Sequence, residues 1–308
     1  MNEIVSKVIP IILLISLGRF LRYKNIFKQE SIDEIKKFMI NFVLPAVLFI
    51  TFFNIEMKRE YYLISIIIFI LLNVFFIVGF ALNKIKKISH PILPFTVTAC
   101  TIAFLGLPLF ASVFGEENLN KIAIIAVGHE FFIWLILYPY LSIKLGNKKI
   151  SFNSIIGLFK TPTMISIIIG IALNVIGLNN ITQTNQLLKG VYITIEYLSK
   201  ISTPFILLII GYGLKINQKY VKQSTIIMVI RIIITLGIGY AFKFLIINRI
   251  MQPDKLFDYA YFTFLILPPP LSLPLLVGLN STVENEELAN NTVVLNTLVT
   301  IIIYIIFV

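Results

Sequence analysis

Two apolar runs of this chain, each long enough to cross a bilayer, contain residues that a straight helix cannot accommodate. The first holds Phe104-Leu105-Gly106-Leu107-Pro108 and the second holds Pro268-Pro269-Pro270-Leu271-Ser272-Leu273-Pro274. Proline removes a backbone donor, and its ring collides with the preceding turn. Hydrocarbon offers nothing to the groups so released, and broken backbone at membrane depth persists only where it is buried in protein or lines a wet cavity. Interruptions paired between two halves of a chain point to the binding site of a carrier. Transport is therefore the first function class that the chain suggests.

Composition fixes the solvent. Of 308 residues, 58% are hydrophobic and only 13% charged, and the mean hydropathy is +0.93. A soluble domain carries about 25% charged residues. Apolar runs of the length that a ~30 Å hydrocarbon core demands recur from end to end. The chain reads as an all-α polytopic protein whose first partner is the lipid bilayer, in the cell (plasma) membrane. Its net charge of +11 lies in short connections between apolar runs, where cytoplasmic loops concentrate Lys and Arg. Nucleic acid is not an expected partner. The N-terminus, with Glu3 and then Arg19, does not read as a cleaved signal peptide. Cys100, the single cysteine, excludes an internal disulfide and argues against a thiolate zinc site. No metal site, cofactor or catalytic residue is expected, because paired histidines, a Gly-rich phosphate loop and G-x-S-x-G are all missing from the sequence. The chain is not read as an enzyme.

Ten spans are predicted, near 4–21, 32–53, 61–82, 91–113, 121–141, 158–177, 187–214, 223–247, 257–279 and 288–308. Residues 1–141 form a first set of five, 142–157 a cytoplasmic connecting loop, and 158–308 the second set. Lys and Arg favour the side that holds the loops after spans one, three, five and seven, which puts both termini outside the cytoplasm. Five spans on each side of a single connection make the halves inverted. Pro45 and Pro204 lie 159 positions apart, and Pro108 and Pro268 lie 160 apart. That common offset supports two inverted five-helix repeats with spans four and nine broken, and a shared site at mid-membrane if the two cross.

The breaks leave free amides at one end of each half-helix and free carbonyls at the other. Amide ends suit an anion and carbonyl ends a cation. A small anionic or zwitterionic solute is expected. Its site is read as Thr101, Ala103, Phe104, Leu105, Gly106 and Pro108 with Pro268, Pro269, Pro270, Leu271, Ser272 and Pro274. Glu130 lies deep in span five, with Ala123 and Ala126 on its helical face. An intramembrane carboxylate is costly and marks a functional candidate; Glu130 is the candidate proton carrier, with His129 beside it but about 100° around the helix. Secondary polar candidates are Lys200, which a pair with Glu196 could satisfy, Arg231, which could pair with Glu130 or snorkel, Asn73, and Asn296 in a stripe with Thr292 and Thr300. Each of these has a purely structural alternative, a hydrogen bond or ion pair between helices.

In order and spacing, Gly18-Arg19-Phe20, Phe42-Val43-Leu44-Pro45-Ala46-Val47-Leu48-Phe49, Phe104-Leu105-Gly106-Leu107-Pro108-Leu109 and Thr203-Pro204-Phe205-Ile206-Leu207-Leu208-Ile209-Ile210-Gly211 resemble the auxin efflux carrier family of bacterial, archaeal and plant permeases. The resemblance covers essentially the whole chain. It implies a fold like that of the bile-acid sodium symporters, a scaffold from spans one, two, six and seven that is usually dimeric, and a transport domain from the rest. It also implies elevator-type alternating access for an organic anion. Where the family often places an Asn that contacts the substrate carboxylate, this chain has Thr101. Related sodium-coupled symporters use acidic and amide side chains near the crossing, and neither crossing span here carries an acidic residue, although backbone carbonyls could still serve. Uniport or proton coupling is the expectation, with a sodium-coupled symporter, a solute sensor or receptor, and a channel as the alternatives.

Overall fold

The computed structural model describes residues 2–54, 59–146, 160–178, 185–213, 216–252 and 254–307. Every regular element among the described residues is helical. Among the described residues, seven helices are long and apolar enough to cross a membrane: Gln29–Phe53, Glu60–Leu82, Leu93–Phe114, Glu116–Leu145, Gln186–Gly213, Gln218–Ile250 and Val283–Phe307. Helices also stand where the other three spans are predicted, at Asn2–Tyr23, at Pro162–Val175, and as the pair Lys255–Ile266 and Leu273–Asn280. Pro162–Val175, with 14 residues, reaches only about 21 Å at 1.5 Å per residue. The expected connecting loop at 142–157 lies mostly outside the described residues, as do Lys58, Lys148, Lys149 and Lys215.

The chain divides into two compact units. The first comprises Met1–Met57, Ala103–Ala123 and Ile156–Leu214, and the second Lys58–Ile102, Ile124–Ile155 and Lys215–Val308. In the first unit, helix Asn2–Tyr23 packs along Ser202–Gly213, and Pro162–Val175 along Leu44–Phe53. Glycine sets the spacing of both pairs. Gly18 lies against the backbone at Leu208 and Tyr212, and Gly211 lies against the Ile15 carbonyl, so each helix lends the other a position without a side chain. Lipid gives no hydrophobic drive for helix association, and close backbone approach through small residues supplies the packing instead. Gly170 meets the backbone at Phe49 in the same way. One turn further on, the Asn174 amide donates to the Phe52 and Phe53 carbonyls at 3.3 and 2.6 Å and caps that helix end.

In the second unit, Ser65 Oγ donates to the Ile124 carbonyl at 2.8 Å, where Gly128 presses on Ser65. Phe76, Phe80, Phe95, Phe132 and Tyr140 form one cluster of edge-to-face and tilted rings. Asn291 and Thr292 bond to Ser224 across a helix pair, and Lys243 is held by Asp258 at 2.8 Å.

The first interruption falls earlier than the 104–108 string. Helix Leu93–Thr98 ends, 99–101 is non-helical, and helix resumes as a π turn, Ile102–Gly106, continuing into Leu107–Phe114. Pro108 is the second residue of that last segment and breaks nothing. The wider π turn moves the carbonyl with which a proline ring would collide and leaves no bond for the missing N–H to complete. Pro45 and Pro139 follow the same construction, each the second residue after the π turns Met39–Val43 and Ile133–Leu137. Pro204 instead ends helix Gln186–Lys200 four residues before it. The second interruption is a real gap: Lys255–Ile266 stops, and Leu273–Asn280 begins after 267–272, with Pro274 in its first turn.

Gly18→Val and Gly211→Val should each lower the thermal unfolding midpoint of the detergent-solubilised protein, at a cost of about 1–3 kcal/mol for overpacking. Gly190→Ala, where an added methyl meets nothing within 4 Å, should leave the midpoint unchanged or raise it.

Candidate functional site

The two gaps meet inside the second unit. Thr101 N–H donates to the Pro268 carbonyl at 3.0 Å, joining 99–101 to 267–272 backbone to backbone. Thr101 is 5% exposed, and Pro268, Pro269 and Pro270 are buried. Three successive prolines leave 268–270 with carbonyls and no amide hydrogens. Beyond them, Leu273 N–H turns back to the Pro270 carbonyl at 2.9 Å. Leu271 is half-buried, Ser272 is exposed, and the Ser272 hydroxyl shares a hydrogen bond with Tyr138 O–H.

Each gap is supported by a buried side chain from another helix. Cys100 N–H donates to His129 Nε2 at 3.1 Å. An acceptor Nε2 puts the proton of the neutral ring on Nδ1, which faces Glu130 Oε1 at 3.3 Å. The second carboxylate oxygen accepts from Trp134 Nε1 at 3.2 Å. The result is a continuous path, from Cys100 amide through imidazole and carboxylate to indole, with His129 1% and Glu130 9% exposed. The approximate 100° offset between neighbouring residues on a helix does not keep His129 and Glu130 apart, since the two side chains meet at 3.3 Å. Ala123 and Ala126 are fully buried, as Glu130's small-residue face requires.

Arg231 pairs neither with Glu130 nor with solvent. Its guanidinium donates from Nη1 to the Thr96 carbonyl at 2.6 Å, and from Nε and Nη2 to the Leu267 carbonyl at 3.2 and 2.8 Å. Those carbonyls belong to the C-terminal ends of Leu93–Thr98 and Lys255–Ile266, the half-helices that enter the two gaps.

The other candidates are more local. Ala103, Leu105, Gly106 and Pro108 are buried and Phe104 is half-buried, all within the π turn and the first turn after it. Pro274 is buried at the start of its helix. Asn73 donates to Phe69 O and Asn296 to Thr292 O, each at 2.8 Å within its own helix. Thr300 reaches Ile266 O at 2.6 Å, so the stripe on the last helix braces the second broken helix. Lys200, in the first unit, is exposed and paired with Glu196 at 3.0 Å.

Sequence reasoning passed over Trp134, Tyr138, Thr96, Leu267 and the Cys100 amide. Trp134 and Tyr138 follow Glu130 at four-residue steps, a signal present in the sequence. Backbone groups carry no such signal, and Cys100 reads only as a small buried thiol.

Replacing His129 by Asn removes the acceptor at Nε2 and strands a buried amide, which costs about 1–3 kcal/mol. His129→Gln keeps an acceptor near that point. The Asn variant should therefore melt lower than the Gln variant in a tryptophan-fluorescence thermal scan.

A profile of the family described as "Membrane transport protein" matches residues 3–308. An uncharacterized transporter from Methanocaldococcus jannaschii is 24% identical over 222 residues, covering 70% of each chain.

Proposed function

This chain belongs to the membrane transport protein family, the auxin efflux carrier type of permease, and we propose that it is a secondary carrier for a small organic anion. The observation that carries the reading is the Thr101 N–H to Pro268 bond, which brings two helix gaps to one buried point. Gapped helices that converge form the usual ion and solute site of carriers. The helix that resumes at Ile102 opens with free amides, whose partial positive charge suits a carboxylate. The Thr101 and Ser272 hydroxyls add donors. Ten spans in two inverted repeats accommodate the fold, with both termini outside the cytoplasm and the protein in the cell membrane. The first unit, holding spans one, two, six and seven, is the scaffold and carries the homodimer contact. The second carries the solute by an elevator-type movement.

Proton coupling follows from the imidazole. A proton added at His129 Nε2 turns that atom from acceptor to donor, frees the Cys100 amide, and sets a positive charge beside the gap. Both changes favour an anion. Glu130 stabilises the imidazolium, or takes the proton itself.

The test is uptake of radiolabelled mono- and dicarboxylates into proteoliposomes, with and without an imposed pH gradient. Thr101→Val should weaken affinity about fivefold, the equivalent of one lost hydrogen bond of about 1 kcal/mol. Glu130→Gln should abolish the response to the gradient while solute counterflow persists; undiminished gradient-driven uptake would sink the proton role. Carboxylate-induced thermal stabilisation without any flux would mark the protein as a sensor on a carrier fold.

A further inference from the structure

We infer that Arg231 is a built-in cation, occupying the carbonyl nest in which a carrier of this architecture would otherwise bind a coupling metal ion, and that the protein therefore moves its solute without sodium. The inference deepens the carrier reading, but its central measurements need no solute.

Four observations on the page converge. Carbonyls from both gapped helices, Thr96 and Leu267, point at one spot, which is the arrangement that half-helix C-termini offer to sodium. That spot is filled by a side chain from a third helix, Val221–Phe242, with three donors engaged. Arg231 is 2% exposed. Among the described residues it forms no ion pair, and Glu130 is engaged by His129 and Trp134. A buried guanidinium without a carboxylate needs another counter-charge. The unpaired carbonyls at the two helix ends, each with partial negative charge, supply it. Hydrogen bonds to a charged group are stronger than neutral ones, and three of them together offset the desolvation of the guanidinium.

The geometry also explains why arginine and not lysine stands here. The fork places two donors on Leu267 and one on Thr96, tying the two gapped helices together, whereas an ammonium is a compact point charge without that planar reach. Arg231 is thus a positioning residue. It holds the crossing shut and fixes a positive charge that stays with the second unit.

Purified wild-type protein, Arg231→Lys and Arg231→Ala would be compared by thermal unfolding in sodium, potassium and choline chloride at matched ionic strength, and by radiolabelled sodium binding. Wild type should show equal midpoints in the three salts and no saturable sodium binding. Arg231→Ala should melt lower, and millimolar guanidinium, but not choline, should restore most of the lost midpoint; Arg231→Lys should fall between. A saturable sodium site in wild type, or sodium-dependent stabilisation, overturns the proposal. So does an Arg231→Ala variant that guanidinium fails to rescue while Arg231→Lys is equally damaged, because the side chain would then be acting only as packing. Should Arg231→Ala not survive purification, the wild-type and Arg231→Lys arms still decide. In proteoliposomes, exchanging sodium for choline should leave uptake unchanged, where a coupled ion would shift affinity by about fivefold or more. Loss of all carboxylate flux with the cation results intact would fault the solute assignment, not this one.

Discussion

Backbone that has left a helix inside a membrane must find its partners in the protein, and here the two gaps largely find them in each other. The Thr101 amide closes on the Pro268 carbonyl. What this contact leaves over is met by single side chains: Cys100 N–H by His129, and the Thr96 and Leu267 carbonyls by Arg231. Each is an expensive residue to bury, and each is retained at a place where an orphaned backbone group would be equally expensive. The polar content of the second unit follows from these two interruptions more than from any need for specificity among its helices.

Elsewhere the fold avoids creating such debts. Pro45, Pro108 and Pro139 each follow a π turn, so three prolines enter long helices without a gap. Glycines at 18, 170 and 211 let helices touch backbone to backbone in the first unit. Among the described residues, the π turns absorb these three prolines locally, while the two gaps of the second unit meet at one point.

Much of this is legible in the sequence itself. Apolar run lengths locate the helices, since hydrocarbon thickness dictates them, and the proline cluster at 268–270 marks the second gap because three missing donors in a row cannot be absorbed by one wide turn. The first gap was misplaced for the complementary reason. Pro108 is the conspicuous residue, but one proline is tolerated by a π turn, while the actual gap at 99–101 consists of Ala99, Cys100 and Thr101, none of which forbids helix. Glu130 stood out through its cost in lipid. The destination of Arg231 did not, because its partners are carbonyls, which every residue possesses and no sequence distinguishes.

The gaps differ in one respect that their meeting conceals. Residues 268–270 have no amide hydrogens, so this stretch accepts and never donates, whereas the segment after Thr101 opens with amides. A molecule drawn to the crossing meets opposite chemistry on its two flanks. A solute with an acid at one end and a hydroxyl or ammonium at the other would be aligned head to tail between them. That polarity is held by proline itself, since any other residue at 268–270 would return an amide hydrogen to the accepting flank.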